Sequence, residues 1–272
     1  MKLKACGLSD IGLCRPNNED VWVAMPDIGF FALADGMGGH LAGEVAAKEA
    51  IDHLSNSVKT IPEGDPLERM LELKKAIEKA NSWVYQLGKE EDALNGMGTT
   101  LCCLMWLENV IIYAHVGDSR IYRLRNQKLE LLTQDHSLFA RWLKLSKNSK
   151  TPFRYKNVIT RAIGTAPRAN PEVAISRCLS GDLYFLCSDG LSDVLSLEEI
   201  EKILNLSPNL EKASKRLIDR AKIKGSSDNI TILMVEEHGK ENLFRQQCDD
   251  GARSQSVQSD AFGLERSSSK PL

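Results

Sequence analysis

No apolar run in this chain approaches the ~20 residues that a helix needs to cross a bilayer, so no membrane span is expected among its 272 residues. The N-terminus, Met1-Lys2-Leu3-Lys4-Ala5-Cys6, carries basic residues but reaches Asp10 before an apolar segment develops. That argues against a secretory signal, and a cytoplasmic location is the expectation. An excess of positive charge is also missing. Lys and Arg number 35 against 37 Asp and Glu, a formal net charge of -2, which is not the polycation that nucleic-acid binding favours. The cysteines Cys6, Cys14, Cys102, Cys103, Cys178, Cys187 and Cys248 form no C-x-x-C pair, so neither a zinc knuckle nor a redox dithiol is suggested. Reduced cysteines serving as small apolar residues are the simpler reading. Solenoid-type repeats are absent too. What is present, 42% hydrophobic residues, suffices to bury a sizeable core.

Val21–Ala24 and Gly29–Ala34 read as short strands around a turn at Pro26-Asp27, and the second, almost continuously apolar, is expected to stop at Asp35-Gly36. Ala47, Ala50, Ile51 and Leu54 recur at helical spacing. A longer helix is predicted from Pro66 to Leu87, with Met70, Leu73, Ile77, Ala80 and Val84 on one stripe. After Gly96-Met97-Gly98 the pattern turns to β. Thr99–Leu107 and Val110–Val116 form a predicted hairpin about Glu108-Asn109, and Arg120–Leu124 with Lys128–Leu132 form a second. Leu138–Leu145 is a short predicted helix, and Leu183–Cys187 a further strand. Ser196 and Glu199 fit a capping box, a helix follows from Leu210 to Lys222, and Ile230–Val235 is the last strand. Successive hairpins and grouped helices favour one α+β domain over alternating βαβ units. The domain is expected to cover 1–237, followed by a polar, disordered tail at 238–272 that cannot bury a core.

One pattern recurs: apolar strands run into acids, at Leu33-Ala34-Asp35-Gly36, His115-Val116-Gly117-Asp118 and Leu186-Cys187-Ser188-Asp189-Gly190. A fourth acid, Asp228, stands just before the last strand. Strand ends are rigid anchors, and glycine lets backbone and ligand approach closely. Converging carboxylates repel one another unless a cation joins them, and oxygen ligands suit Mg²⁺ or Mn²⁺. Any one Asp-Gly reads more readily as a turn, and Ser-Asp-Asn as a cap; the joint occurrence is what points to a metal. Arg15, upstream of Glu19 and Asp20, is either a turn residue or the guanidinium that grips a phosphate beside that metal.

The ordered set RPNNED (15–20), ADGMGGH (34–40), MGTT (97–100), HVGDSR (115–120), LTQDHS (132–137), VITRAIG (158–164), CSDGLSDV (187–194) and SDNIT (227–231) resembles the metal-dependent type 2C protein phosphatases, in detail their bacterial serine/threonine branch. The resemblance implies a β-sandwich of two antiparallel sheets flanked by helices. It implies hydrolysis of phosphoserine and phosphothreonine by a metal-bridged water attacking phosphorus, with no phospho-enzyme. Two Mn²⁺ or Mg²⁺ ions are implied, with a third, weaker one. Asp35 would bridge the pair, the Gly36 carbonyl would face the first ion, and Asp189 and Asp228 would hold the second. Asp118 would serve the third site, Glu19 and Asp20 would support through waters, Arg15 would hold the substrate phosphate, and Gly98, Thr99, Ser119 and Asn229 would shape the loops. Implied partners are phosphoproteins, Ser/Thr kinases and their substrates, met by a monomer that binds neither nucleic acid nor membrane. An adaptor that had lost catalysis would lack these acids, and all are present.

Two features qualify the resemblance. Animal members carry a proposed proton-donating histidine two residues after the bridging aspartate; here, as in bacterial members, that position is methionine, Met37. His40 and His136 are left between packing and proton transfer. The segment 138–157 corresponds to the bacterial flap and is basic through Arg141, Lys144, Lys147, Lys150, Arg154 and Lys156. It is either a solvated loop or an attractor of acidic phosphoproteins. No C-x5-R loop of cysteine phosphatases is found, and Cys187 is read as a buried strand residue.

Overall fold

Alternation decides the layers. In the strand Phe30–Met37 (β3), Phe30, Ala32 and Ala34 face one core while Phe31 and Leu33 face another, and all five are fully buried. A strand that is apolar on both faces must be covered on both. Its neighbour Leu101–Leu107 (β5) sends Leu101, Cys103 and Met105 one way and Cys102, Leu104 and Trp106 the other. The adjacent cysteines therefore serve different cores, as buried free thiols. This computed structural model describes residues 2–38, 41–145, 155 and 158–237. The polar tail at 238–272, His40 and the basic residues Lys147, Lys150, Arg154 and Lys156 lie outside the described residues.

Two antiparallel sheets stack face to face. One has the order β1 (Leu3–Asp10), β11 (Ile230–Glu237), β10 (Leu183–Cys187), β7 (Arg120–Arg125), β8 (Lys128–Leu131). The other runs β2 (Asp20–Met25), β3, β5, β6 (Val110–Val116), β9 (Glu172–Arg177), with the short β4 (Gly98–Thr99) attached to β3. Between them, Phe31, Leu33, Leu104, Tyr184, Leu186 and Leu233 form the inter-sheet core. Helices α1 (Leu41–Val58) and α2 (Pro66–Glu90) cover the outer face of the second sheet. On the outer face of the first lie α5 (Leu197–Asn205) and α6 (Leu210–Ile223), through Ile200, Leu204, Leu217 and Ile218. The result is the expected α+β sandwich, αββα. No helix among the described residues is long and apolar enough to cross a membrane.

Local chemistry sets the helix starts. Asp65 caps α2 by accepting from Leu67 N and Glu68 N at 2.8 and 3.0 Å. The capping box predicted at Ser196 and Glu199 opens α5, with bonds of 3.3 and 3.1 Å. Each such cap contributes ~1 kcal/mol. Asn126 and Gln127, both at positive φ, make the tight turn between β7 and β8.

Three features depart from the sequence reading. Strands β1 and β9, both at sheet edges, were not expected, because partly exposed edge strands carry little hydrophobic alternation. A short helix, α4 (Asp189–Ser192), follows β10 directly. And β3 does not stop at Asp35: it continues through Gly36 to Met37, which pair with Thr99 and Gly98 of β4. The acid therefore sits within a hydrogen-bonded ladder and not on a free turn.

Candidate metal centre

Several acids meet at one end of the sandwich. A cleft of about 250 Å³ is lined by Arg15, Glu19, Asp35, Gly36, Asp118, Asp189 and Asp228, together with Met37, Gly38, Thr100 and Ile159. The contributing segments are far apart in the chain. Asp35 comes from β3, Asp118 from the turn after β6, Asp189 from the start of α4 and Asp228 from the turn before β11. Asp20 is the register partner of Asp35 across β2 and β3, but it lies behind the cleft lining at 8% exposure.

The backbone around Asp35 is held from two sides. Thr100 N donates to Asp35 O at 2.8 Å, Thr99 Oγ1 donates to the same oxygen at 2.9 Å, and Asp35 N donates to Thr100 Oγ1 at 3.0 Å. Gly36 N donates to Glu19 O at 3.1 Å. A Cβ on Gly36 would collide with the Gly43 carbonyl oxygen, so only glycine fits where β3 passes the start of α1. Asn229 sews the chain's two ends together. Its Oδ1 accepts from Glu19 N at 2.9 Å, and its Nδ2 donates to Ile11 O at 2.9 Å and Asn17 O at 3.0 Å. Asp20 Oδ2 accepts from Ser188 Oγ at 2.9 Å, and Ser188 Oγ accepts in turn from Thr231 N at 3.0 Å.

Burial and the crowding of like charge together set the electrostatics. Burial first, then the charges of Asp20, Asp189, Asp228 and Asp118, push Asp35 well above the usual carboxylate range. Burial followed by Asp118, Asp193 and Asp228 does the same to Asp189. Asp20 and Asp118 are pushed up to about 6, with burial again the leading cause. Asp189 Oδ1 and Asp20 Oδ1 are buried without a hydrogen-bond partner. Buried acceptors left open are costly. An all-oxygen set of converging carboxylates with open lone pairs is what a hard divalent cation satisfies, so these residues fit a metal of the Mn²⁺ or Mg²⁺ type.

Arg15 reaches the cleft, but its Nη2 donates to Asp228 Oδ2 at 2.6 Å; that carboxylate is the main cause of its raised pKa. The sequence reading assigned no role to Thr100, Ser188 or Thr231, although each stood inside a quoted motif. Their part, holding Asp35 and Asp20, exists only across strands. Cys187 is fully buried, and burial pushes its thiol up to about 12, which suits packing and not nucleophilic attack. His136 lines a separate cavity of about 390 Å³ with Arg141, Lys144, Thr160, Arg161 and Glu172.

The family model described as Protein phosphatase 2C matches residues 17–225. The chain belongs to the protein phosphatase 2C family. Within that family it is 37% identical over 240 residues to the protein phosphatase PhpP of Streptococcus pneumoniae, covering 84% of this chain and 95% of that one. The serine/threonine phosphatase of S. agalactiae superposes with a TM-score of 0.81 at 33% identity, covering 87% of this chain and 100% of that one. The catalytic domain of the serine/threonine phosphatase PstP, solved with 2 manganese ions, has a TM-score of 0.77 at 34% identity, covering 86% and 98% of the two chains. This protein phosphatase 2C chain is thus an enzyme of the metal-dependent serine/threonine class, on the two-sheet sandwich expected from its motifs.

Proposed function

We propose that this phosphatase hydrolyses phosphoserine and phosphothreonine in proteins with two Mn²⁺ or Mg²⁺ ions and no phospho-enzyme. The observation that carries the reading is the mutually repelling carboxylate set lining the cleft, with buried open oxygens on Asp189 and Asp20. Asp35 would hold both ions, the Gly36 carbonyl the first, and Asp189 and Asp228 the second. Asp118 would serve a third, weaker ion, and Glu19 and Asp20 would act through water. Bound divalent ions supply an activated water and the neutralisation of phosphoryl charge. The protein's own groups do the rest. Thr99 and Thr100 fix the Asp35 backbone, and Ser188 holds Asp20 in place. Arg15, docked on Asp228 through one nitrogen, keeps other donors of its fork for a phosphoryl oxygen. Met37 lines the cleft and carries no proton to give, so in this reading the leaving alkoxide takes its proton from water.

In this reading residues 1–237 form the catalytic domain of a cytoplasmic monomer, with 238–272 as a polar extension. Its partners are serine/threonine kinases and the proteins they phosphorylate. The test is hydrolysis of a phosphothreonine peptide with and without Mn²⁺, for wild type beside Asp35→Asn. Turnover that needs Mn²⁺ and is lost in the variant is expected. Metal-independent turnover, or full activity in Asp35→Asn, would overturn the reading.

A further inference from the structure

Next to the cleft, two buried histidines and an exposed glutamate form a cluster that the proposed mechanism does not use. His115 and His136 stack at 4.4 Å between ring centroids, with planes 21° apart, and His136 Nε2 lies 3.1 Å from Glu172 Oε1. These three side chains present nitrogen and oxygen atoms close enough to share a metal ion. Two facts argue against one. Rings so nearly parallel cannot both aim an in-plane lone pair at one ion ~2 Å away. And His136 Nδ1 accepts from Gly117 N at 3.2 Å, which puts the ring's single proton on Nε2, the atom facing Glu172. Nε2 is then a donor, and Glu172 Oε1 receives it alongside Arg161 Nη1 at 3.2 Å.

The Gly117 contact is the informative one. His136 grips that residue twice, because its backbone N also donates to Gly117 O at 2.9 Å. Its carbonyl accepts from Thr160 N at 2.6 Å, next to Ile159 on the cleft wall. The preceding residue, Asp135, holds Arg120 bidentately at 2.9 and 2.7 Å. Asp135 and His136 therefore clamp residues 120 and 117, the two ends of the turn that presents Asp118. Gly117 has φ 105°, a conformation open to glycine without strain, and a Cβ there would meet Thr100.

We propose that His136 is a positioning residue: by clamping both backbone groups of Gly117 it sets where the Asp118 carboxylate stands in the cleft. The role of Asp118 as a ligand rests on the proposed function; the clamp itself rests on the geometry. The side chain that matters is an acceptor at the Nδ1 position. Asn places its amide oxygen there, whereas Gln places it nearer Nε2.

The experiment compares full-length wild type, His136→Asn, His136→Gln and Asp118→Asn. Gly117 amide exchange is read by NMR, Mn²⁺ binding by titration calorimetry, and melting is followed in EDTA. His136→Gln is expected to speed Gly117 exchange and to weaken the looser Mn²⁺ step roughly 10-fold, the low end of what losing a group behind a metal ligand costs. His136→Asn should stay near wild type in both, and the melting control separates either result from general unfolding. Gly117 exchange unchanged in His136→Gln overturns the clamp. So does His136→Asn failing as badly as His136→Gln. Faster exchange with an unaltered Mn²⁺ titration overturns the positioning of Asp118. A wild-type titration in Asp118→Asn overturns instead the ligand reading of Asp118, while the exchange measurement still decides whether His136 holds the turn.

Discussion

The two ends of strand β10 carry acids with opposite surroundings. Asp182, just before it, is 2% exposed and fully answered by the protein. Arg125 grips it bidentately at 2.7 and 2.6 Å, Leu179 N donates at 2.9 Å, and Tyr184 Oη at 3.2 Å. Asp189, two residues past the other end, has a buried oxygen with no partner and faces Asp118, Asp193, Asp228 and Asp20. One strand thus delivers an acid that holds the fold together and, in the proposed reading, an acid kept for a metal. The difference lies chiefly in the neighbours, arginine at one end and more aspartate at the other.

The largest expected break in this comparison is Asp189→Asn. With Mn²⁺ present, kcat on a phosphothreonine peptide should fall roughly 1000-fold, the scale of about 4 kcal/mol of lost transition-state stabilisation. In EDTA the same variant should melt above wild type, since one member of a repelling set has become neutral. Activity within tenfold of wild type, or a lowered melting point in EDTA, would erase the contrast between the two ends.

Asp182→Asn should do the reverse. Neutralising the buried Asp182 costs half-buried Arg125 its counter-charge, for a loss of roughly 2 kcal/mol in urea unfolding. Activity per folded molecule should stay at the wild-type level. A stability change under about 0.5 kcal/mol would place this acid with ordinary surface substitutions.

Legibility from the sequence follows the same divide. Local signals were readable: the capping box at Ser196 and Glu199, the double-faced apolar strands β3, β5 and β10, and the acids at strand ends. Edge strands β1 and β9 were not, because a half-covered strand needs fewer apolar residues. Nor was the continuation of β3 through Asp35-Gly36, which depends on the distant β4 pairing with it, Gly98 against Met37 and Thr99 against Gly36. The groups that hold the acids were hidden for the same reason. Ser188 and Asp20 are 168 positions apart, and no periodicity links them. The cleft lining gathers Arg15, Glu19, Asp35, Gly36, Asp118, Asp189 and Asp228 into one place, while Asp20 stands behind it.

The smallest expected effect is the pH dependence of the metal-free protein. Asp20 and Asp118 titrate at about 6 in the folded chain against the ordinary 3.8. A raised folded pKa means that the native state binds the proton more tightly, so this contribution is complete below the unfolded value and is lost as pH rises through about 6. In EDTA the melting temperature should therefore decline from about pH 4 to about pH 6, and saturating Mn²⁺ should flatten that slope. A metal-free protein that melts higher at the upper pH would show that these acids are not in competition.

Asn229 carries a consequence for how the enzyme comes into being. It ties the last strand to Ile11, Asn17 and Glu19, and β11 is the neighbour that β1 pairs with. A chain emerging from the ribosome makes Glu19, Asp20 and Asp35 early, yet their seam and Asp228 arrive some two hundred residues later, Asn229 being 210 positions beyond Glu19. A nascent chain stopped short of that point has neither the seam nor the final acid. If Asp228 holds metal as proposed, catalysis waits until residues 228 and 229 have been made and folded against Glu19.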